Sequence, residues 1–109
     1  MDDRIFSRIV EFVYKVRWKY IFQLTRQTTL ADDLGIDGDD AYEFFDAFMA
    51  EFKIDLSTFD LRKYFNEEGF GINVSRMLYK YPPFSPHKLN LGDLERAIEK
   101  GRWIDPPDA

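Results

Sequence analysis

The chain has 109 residues, 45% of them hydrophobic and 17% aromatic, with 15 basic and 20 acidic side chains, one histidine and no cysteine. That length suits one domain, and the apolar content fills one core, so a disordered chain is excluded. The lack of cysteine excludes disulfides, zinc–thiolate sites, iron–sulfur clusters and cysteine nucleophiles, and a lone histidine, His87, excludes any site built on a histidine pair.

No uncharged apolar run approaches the roughly 18 residues of a membrane span. The opening Met1-Asp2-Asp3 predicts no secretory leader, and the expected compartment is the cytoplasm. The charge is uneven. Residues 1–28 carry six basic and three acidic side chains, residues 29–70 three and twelve, and residues 71–109 six and five. The acidity therefore belongs to the central segment. It repels nucleic-acid phosphates and attracts a basic protein patch or a cation.

Ile5, Ile9, Phe12, Val13, Val16 and Tyr20 recur at spacings of three and four, which predicts a first helix. Phe6, Val10 and Ile21 widen its apolar face, and Asp2 or Asp3 is the expected cap. Arg4, Arg8 and Lys15 form a basic stripe beside that face. Such a helix can serve a membrane surface or a partner. A core helix with a solvated flank is the preferred reading, because apolar faces usually serve the core. Residues 22–38 read as a loop, broken by Thr25, Thr28, Thr29, Gly35 and Gly38, with Leu30, Leu34 and Ile36 as its core anchors.

Ala41, Phe44, Phe45, Phe48, Met49 and Phe52 predict a second helix from about 39 to 52, with Asp37 as N-cap. Asp39, Glu43 and Asp46 lie on its opposite face. Ile54-Asp55-Leu56 leads to Ser57, the expected cap of a short third helix over about 58–66, with Leu61, Tyr64 and Phe65 inward and Gly69 and Gly71 ending it. In residues 70–89, Pro82, Pro83 and Pro86 forbid a continuous helix; residues 73–80 leave helical turns or a short strand open. Leu91, Leu94, Ala97 and Ile98 predict a last helix over about 91–100, stopped by Gly101. Trp103 is expected to pack that helix against the bundle.

The segment Thr29-Leu30-Ala31-Asp32-Asp33-Leu34-Gly35-Ile36-Asp37-Gly38-Asp39-Asp40-Ala41-Tyr42-Glu43 resembles the acyl carrier proteins. Carriers show a leucine, two residues, an acid-leucine-glycine, one residue, then Asp-Ser-Leu-Asp and an acidic second helix with a glutamate three residues on. Leu34, Gly35, Asp37, Asp40 and Glu43 match. Phe52-Lys53-Ile54-Asp55-Leu56 is similar to the end of that helix and its strand-like exit. The resemblance covers about 3–66 and 89–103. More narrowly, Tyr64-Phe65, Glu67-Glu68 before Gly69, and Gly101-Arg102-Trp103 resemble an uncharacterised bacterial family of acyl-carrier-like domains. The resemblance implies an all-α, acyl-carrier-like helical bundle over 1–109. An irregular insertion at about 67–88, for which a short hairpin stays open, precedes the last helix.

Gly38 stands where carriers attach phosphopantetheine to a serine. Only a hydroxyl forms that phosphodiester, so carriage at the usual position is chemically impossible. Asp39 also replaces the following leucine of carriers. No cofactor is expected. What the resemblance leaves is the acidic helix, which in carriers docks onto basic patches of enzymes; Asp39, Glu43 and Asp46 are the matching acids. Their competing reading is a plain solvated face.

Other constellations are weaker. Asp32, Asp33, Asp37, Asp39 and Asp40 could hold calcium or magnesium, but the run lacks EF-hand spacing, and acids at a helix start explain it, so no metal is expected. Asp39 with Glu43 could be read as an acid/base pair, but an exposed helix face is not the setting such chemistry needs. His87, between Pro86 and Lys88, reads as a surface residue. Phe44, Phe45, Phe48 and Phe52 line an acyl tunnel in one reading and form plain core in the other. The favoured function is a non-enzymatic interaction module. The alternative is a carrier or ligand-binding protein that holds an acyl chain or small apolar molecule non-covalently, or at an unrecognised serine such as Ser57 or Ser75.

Overall fold

The computed structural model describes residues 3–36, 39–61, 64 and 88–106. Among them are three α-helices and no strand: α1 Arg4–Val16, α2 Asp39–Phe52 and α3 Leu91–Lys100. Helix α1 packs against both α2 and α3. The all-α expectation holds for these residues. The anticipated N-cap Asp37, the glycine at 38 and all of the insertion about 67–88 except its last residue, with His87 and its prolines, lie outside them.

Ile9, Phe12 and Val13 are the buried positions of α1, and Ala41, Phe44, Phe45 and Phe48 those of α2. The two faces meet ring to ring. Phe12 stands 5.4 Å from Phe44 and 5.5 Å from Phe52 between ring centroids, both edge to face. Each fully buried ring contributes roughly 1.5–3 kcal/mol by leaving water. Leu30, Leu34 and Ile36 are buried in the same core, so the long loop is anchored where its leucines predict.

Helix α1 ends at Val16, one turn short of the apolar pattern that includes Tyr20 and Ile21. Tyr20 lies only partly buried beyond the helix, and Ile21 is fully exposed. The reason lies in the loop. Its carbonyls need donors, and Arg17 and Tyr20 supply them from the same stretch. Asp3 occupies the N-cap position of α1 without a side-chain cap bond. Its carboxylate takes the Arg26 guanidinium instead, at 2.8 Å.

The loop is also laced to the start of α3. Leu30 N donates to Leu89 O, Leu91 N to Thr28 O and Gly92 N to Arg26 O, around an antiparallel bridge between Thr29 and Asn90. Asn90 caps α3 in a reciprocal box: Asp93 N donates to Asn90 Oδ1 at 2.9 Å, and Asn90 N to Asp93 Oδ2 at 3.0 Å. Gly101 ends α3 with φ of 76°, a left-handed conformation that side-chain-bearing residues rarely adopt.

After α2 the chain does not enter a helix at residue 58. Residues 57–58 turn, closed by Phe59 N to Leu56 O, and a tight turn begins at Leu61, where Tyr64 N donates to Leu61 O. The remainder of the anticipated 58–66 helix lies outside the described residues. Ser57 is not the cap: Asp55 Oδ1 accepts from Ser57 N at 2.8 Å and makes the turn itself. Asp55 also forms a parallel bridge with Arg102, through Asp55 N to Gly101 O and Trp103 N to Asp55 O. This bridge seats Trp103, 2% exposed, edge-on to Phe59 at 4.7 Å. Trp103 Nε1 and Tyr64 Oη both donate to Asp105 Oδ1, at 2.8 and 2.6 Å. Burial first, and the bond to Asp105 second, push the Tyr64 hydroxyl above the ordinary phenol value.

Candidate functional site

Helix α2 buries one side and presents the other. Asp39, Glu43 and Asp46 are all exposed, spaced four and three residues apart on the outer face. Asp39 and Asp40 occupy the first turn, where the positive end of the helix dipole favours them. Among the described residues none of the three acids has an ion-pair partner. Two further exposed side chains, Tyr42 and Met49, share this side. Met49 is thus not part of the core face to which its spacing assigns it; position 49 falls at the edge of the arc, beyond the phenylalanines.

The cations beside α2 meet other side chains than these three acids. Lys15 Nζ donates to Glu51 Oε1 at 2.8 Å, and Arg8 lies over the Phe52 ring at 5.0 Å. The hydrogen bond from Lys15, then its charge, holds the Glu51 carboxyl below its usual value. Arg26 Nε donates to Glu95 Oε1 at 2.7 Å and stacks on Phe6. Of the basic stripe of α1, Arg8 and Lys15 thus rest on side chains of α2.

Arg17 ties the loop to the start of α2. Its guanidinium donates to Leu34 O at 3.2 Å and Gly35 O at 3.5 Å, and stands 3.4 Å from Asp40 Oδ2. Tyr20 Oη donates to Leu34 O at 2.7 Å. Gly35 has φ of 73°, so the turn that brings its carbonyl to Arg17 suits glycine. Asp33 makes a reciprocal pair with Thr29: Thr29 N donates to Asp33 Oδ2 at 2.8 Å and Asp33 N to Thr29 Oγ1 at 3.0 Å. Of the acids weighed as metal ligands, Asp33 and Asp40 thus hold structure, and Asp37 lies outside the described residues. Among those described, no three His, Cys, Asp or Glu side chains converge as a ligand set.

The phenylalanines weighed as a tunnel lining pack on one another. Phe48 lies 5.2 Å from Phe52, and Phe45 lies 4.6 Å from Phe59. A groove of about 380 Å³ is polar, lined by residues that include Arg26, Asn90, Glu95 and Arg96. Its central polar groups already meet each other, Arg26 with Glu95 in an ion pair and Asn90 N with the Asp93 carboxylate in a hydrogen bond.

Residue patterns missed two features. One is the Arg17 clamp. The other is the exposed run that follows it, in which Trp18, Tyr20 and Phe22 pack in sequence with tilted rings, their centroids 5.1 and 5.4 Å apart. The alternation of aromatics at every second residue was the available sign of extended chain. Among the described residues, no helix is long and apolar enough to cross a membrane.

The chain belongs to the family described as "Protein of unknown function (DUF1493)", whose model matches residues 1–105. No curated protein and no solved structure matches it.

Proposed function

We propose that this chain is a non-enzymatic, acyl-carrier-like module that lacks the pantetheine attachment serine and binds a basic protein partner through the outer face of α2. The observation that carries this reading is the contrast in pairing. Lys15, Arg17 and Arg26 each meet an acid of the same chain, whereas Asp39, Glu43 and Asp46 meet none among the described residues. A cation of another molecule completes the set. The order of elements supports the carrier-like part: a long helix, a long loop anchored by Leu30, Leu34 and Ile36, then an acidic helix. The phenylalanine packing between α1 and α2 supports a module without an acyl chain in that space. Unpaired carboxylates oppose nucleic acid as the partner. The proposed setting is the cytoplasm.

Two measurements test this. Intact mass after incubation with coenzyme A and a pantetheinyl transferase is expected to show no gain. Gly38→Ser alone should gain little, because Asp39 still follows; a pantetheine-sized gain in the unmutated protein refutes the arm-less reading. Affinity capture with the original protein and with Asp39→Lys/Glu43→Lys/Asp46→Lys, side by side at low salt, tests the surface. Proteins retained by the first and lost by the second support it. Identical capture by both overturns it.

A further inference from the structure

The run of aromatic rings after α1 stays in solvent, with Trp18 53% exposed, Phe22 41% exposed and Ile21 fully exposed between them. The ridge is held in place rather than loose. Arg17 lies 4.4 Å from the centre of the Trp18 ring while it donates to Leu34 O, and Tyr20 Oη donates to the same carbonyl. Keeping such rings in water is unfavourable, and a contiguous exposed apolar patch marks a contact surface.

The position of the ridge says what covers it. Arg17 touches the Trp18 ring on one side and Asp40 of α2 on the other, so the ridge borders the acidic face. Tryptophan and tyrosine also suit a membrane interface. Here, however, Lys15, Arg17 and Arg26 are already paired to acids of this chain, which leaves Lys19 as the exposed cation of the ridge itself, and the bordering carboxylates repel anionic headgroups. A second copy of the chain would set acidic face beside acidic face, which is repulsive. A cationic, amphipathic segment fits both halves. Its apolar side chains cover the ridge, and its lysines or arginines meet Asp39 and Glu43 and the ring faces.

We propose that Trp18, Tyr20, Ile21 and Phe22 form the apolar half of a docking surface for a cationic amphipathic segment of another protein. The cationic half of this statement rests on the acidic-face reading given above.

The full chain carries its own reporter, because Trp18 is exposed and Trp103 is buried. A short amphipathic Lys/Leu peptide is the probe, with a Lys/Ser peptide of equal charge as its control. The Lys/Leu peptide is expected to shift Trp18 emission to the blue, shield it from acrylamide and bind more weakly as salt rises. Ile21→Ser should weaken binding about tenfold, with circular dichroism and the unfolding midpoint unchanged. The Lys/Ser peptide should bind about tenfold more weakly as well. If the two peptides bind alike, or Ile21→Ser binds as the original does, the ridge takes no part and the inference fails while the acidic-face reading stands. If Asp39→Lys/Glu43→Lys/Asp46→Lys binds the Lys/Leu peptide unchanged, the acidic-face reading fails and the cationic partner with it. If Trp18 responds to phosphatidylglycerol vesicles and not to the peptide, the ridge is a membrane anchor and the proposal is overturned.

Discussion

The inner and outer faces of α2 run along the same fourteen residues and differ in almost every physical respect. Inward, Phe44, Phe45 and Phe48 are nearly inaccessible and pack on Phe12 and Phe59. Outward, Asp39, Glu43 and Asp46 stand in water without an ion partner among the described residues. The inner face is complete within one molecule, because every ring has neighbours on several sides. The outer face is electrostatically open. The acids of α2 divide in the same way: Asp40 and Glu51 meet Arg17 and Lys15, whereas those of the outer face meet no cation among the described residues. The difference teaches that a charge count does not measure availability. What matters is whether the fold has already placed a counter-charge beside each group.

The sharpest way to break the comparison is to empty the inner face. Phe48→Ala should destabilise the fold by about 3–5 kcal/mol in denaturant unfolding, since the ring is fully buried and its neighbours cannot close the gap. A loss under about 1 kcal/mol would mean that this face is loosely packed and has room for a ligand.

Next comes the clamp between the two faces. Arg17→Ala leaves Leu34 O with Tyr20 as its remaining side-chain donor and Asp40 without its cation. A cost of about 1–3 kcal/mol is expected, with faster amide exchange over residues 30–36. Unchanged exchange there would show that the loop is held by its buried leucines alone.

Charge reversal on the outer face should cost less. Glu43→Lys and Asp46→Lys are expected to leave the unfolding midpoint nearly unchanged. Asp39→Lys adds a loss of about 0.3–1 kcal/mol, because it puts a cation at the positive end of the helix dipole. A large loss from Glu43→Lys or Asp46→Lys would identify that acid as part of the fold rather than an open surface.

The smallest effect is a pH dependence. The hydrogen bond from Lys15 lowers Glu51, and that from Ser57 N lowers Asp55. A carboxyl with a lowered folded-state value stabilises the fold above the ordinary carboxylate range and loses that contribution as pH falls through its folded value. Acidification below the usual carboxylate pKa should therefore weaken the fold, and Lys15→Met or Asp55→Asn should flatten that limb slightly. An equally steep limb in both variants would place the acid sensitivity in other groups.

Much of the helical part was legible before any coordinates. The phenylalanine spacing of α2 and the Leu91–Ile98 spacing of α3 locate both helices to within a residue or so, because an amphipathic face repeats with the helix itself. The loop leucines also fall where their isolation among polar residues puts them. The end of α1 was not legible, since Tyr20 and Ile21 keep its period although the helix has stopped. Nor was the cap of α3, although asparagine three residues before aspartate was a readable sign. For the candidate site, the sequence alone determined that position 38 carries no hydroxyl and that acids crowd the start of α2, because side-chain chemistry and helical spacing are local. Only the tertiary structure decided which charges are already matched and which rings stay in water. Lys15 lies thirty-six residues from Glu51 and Arg26 sixty-nine from Glu95, and no local pattern relates groups so far apart along the chain. Packing brings them together, and in doing so it leaves Asp39, Glu43, Asp46 and the Trp18–Phe22 ridge open to a partner.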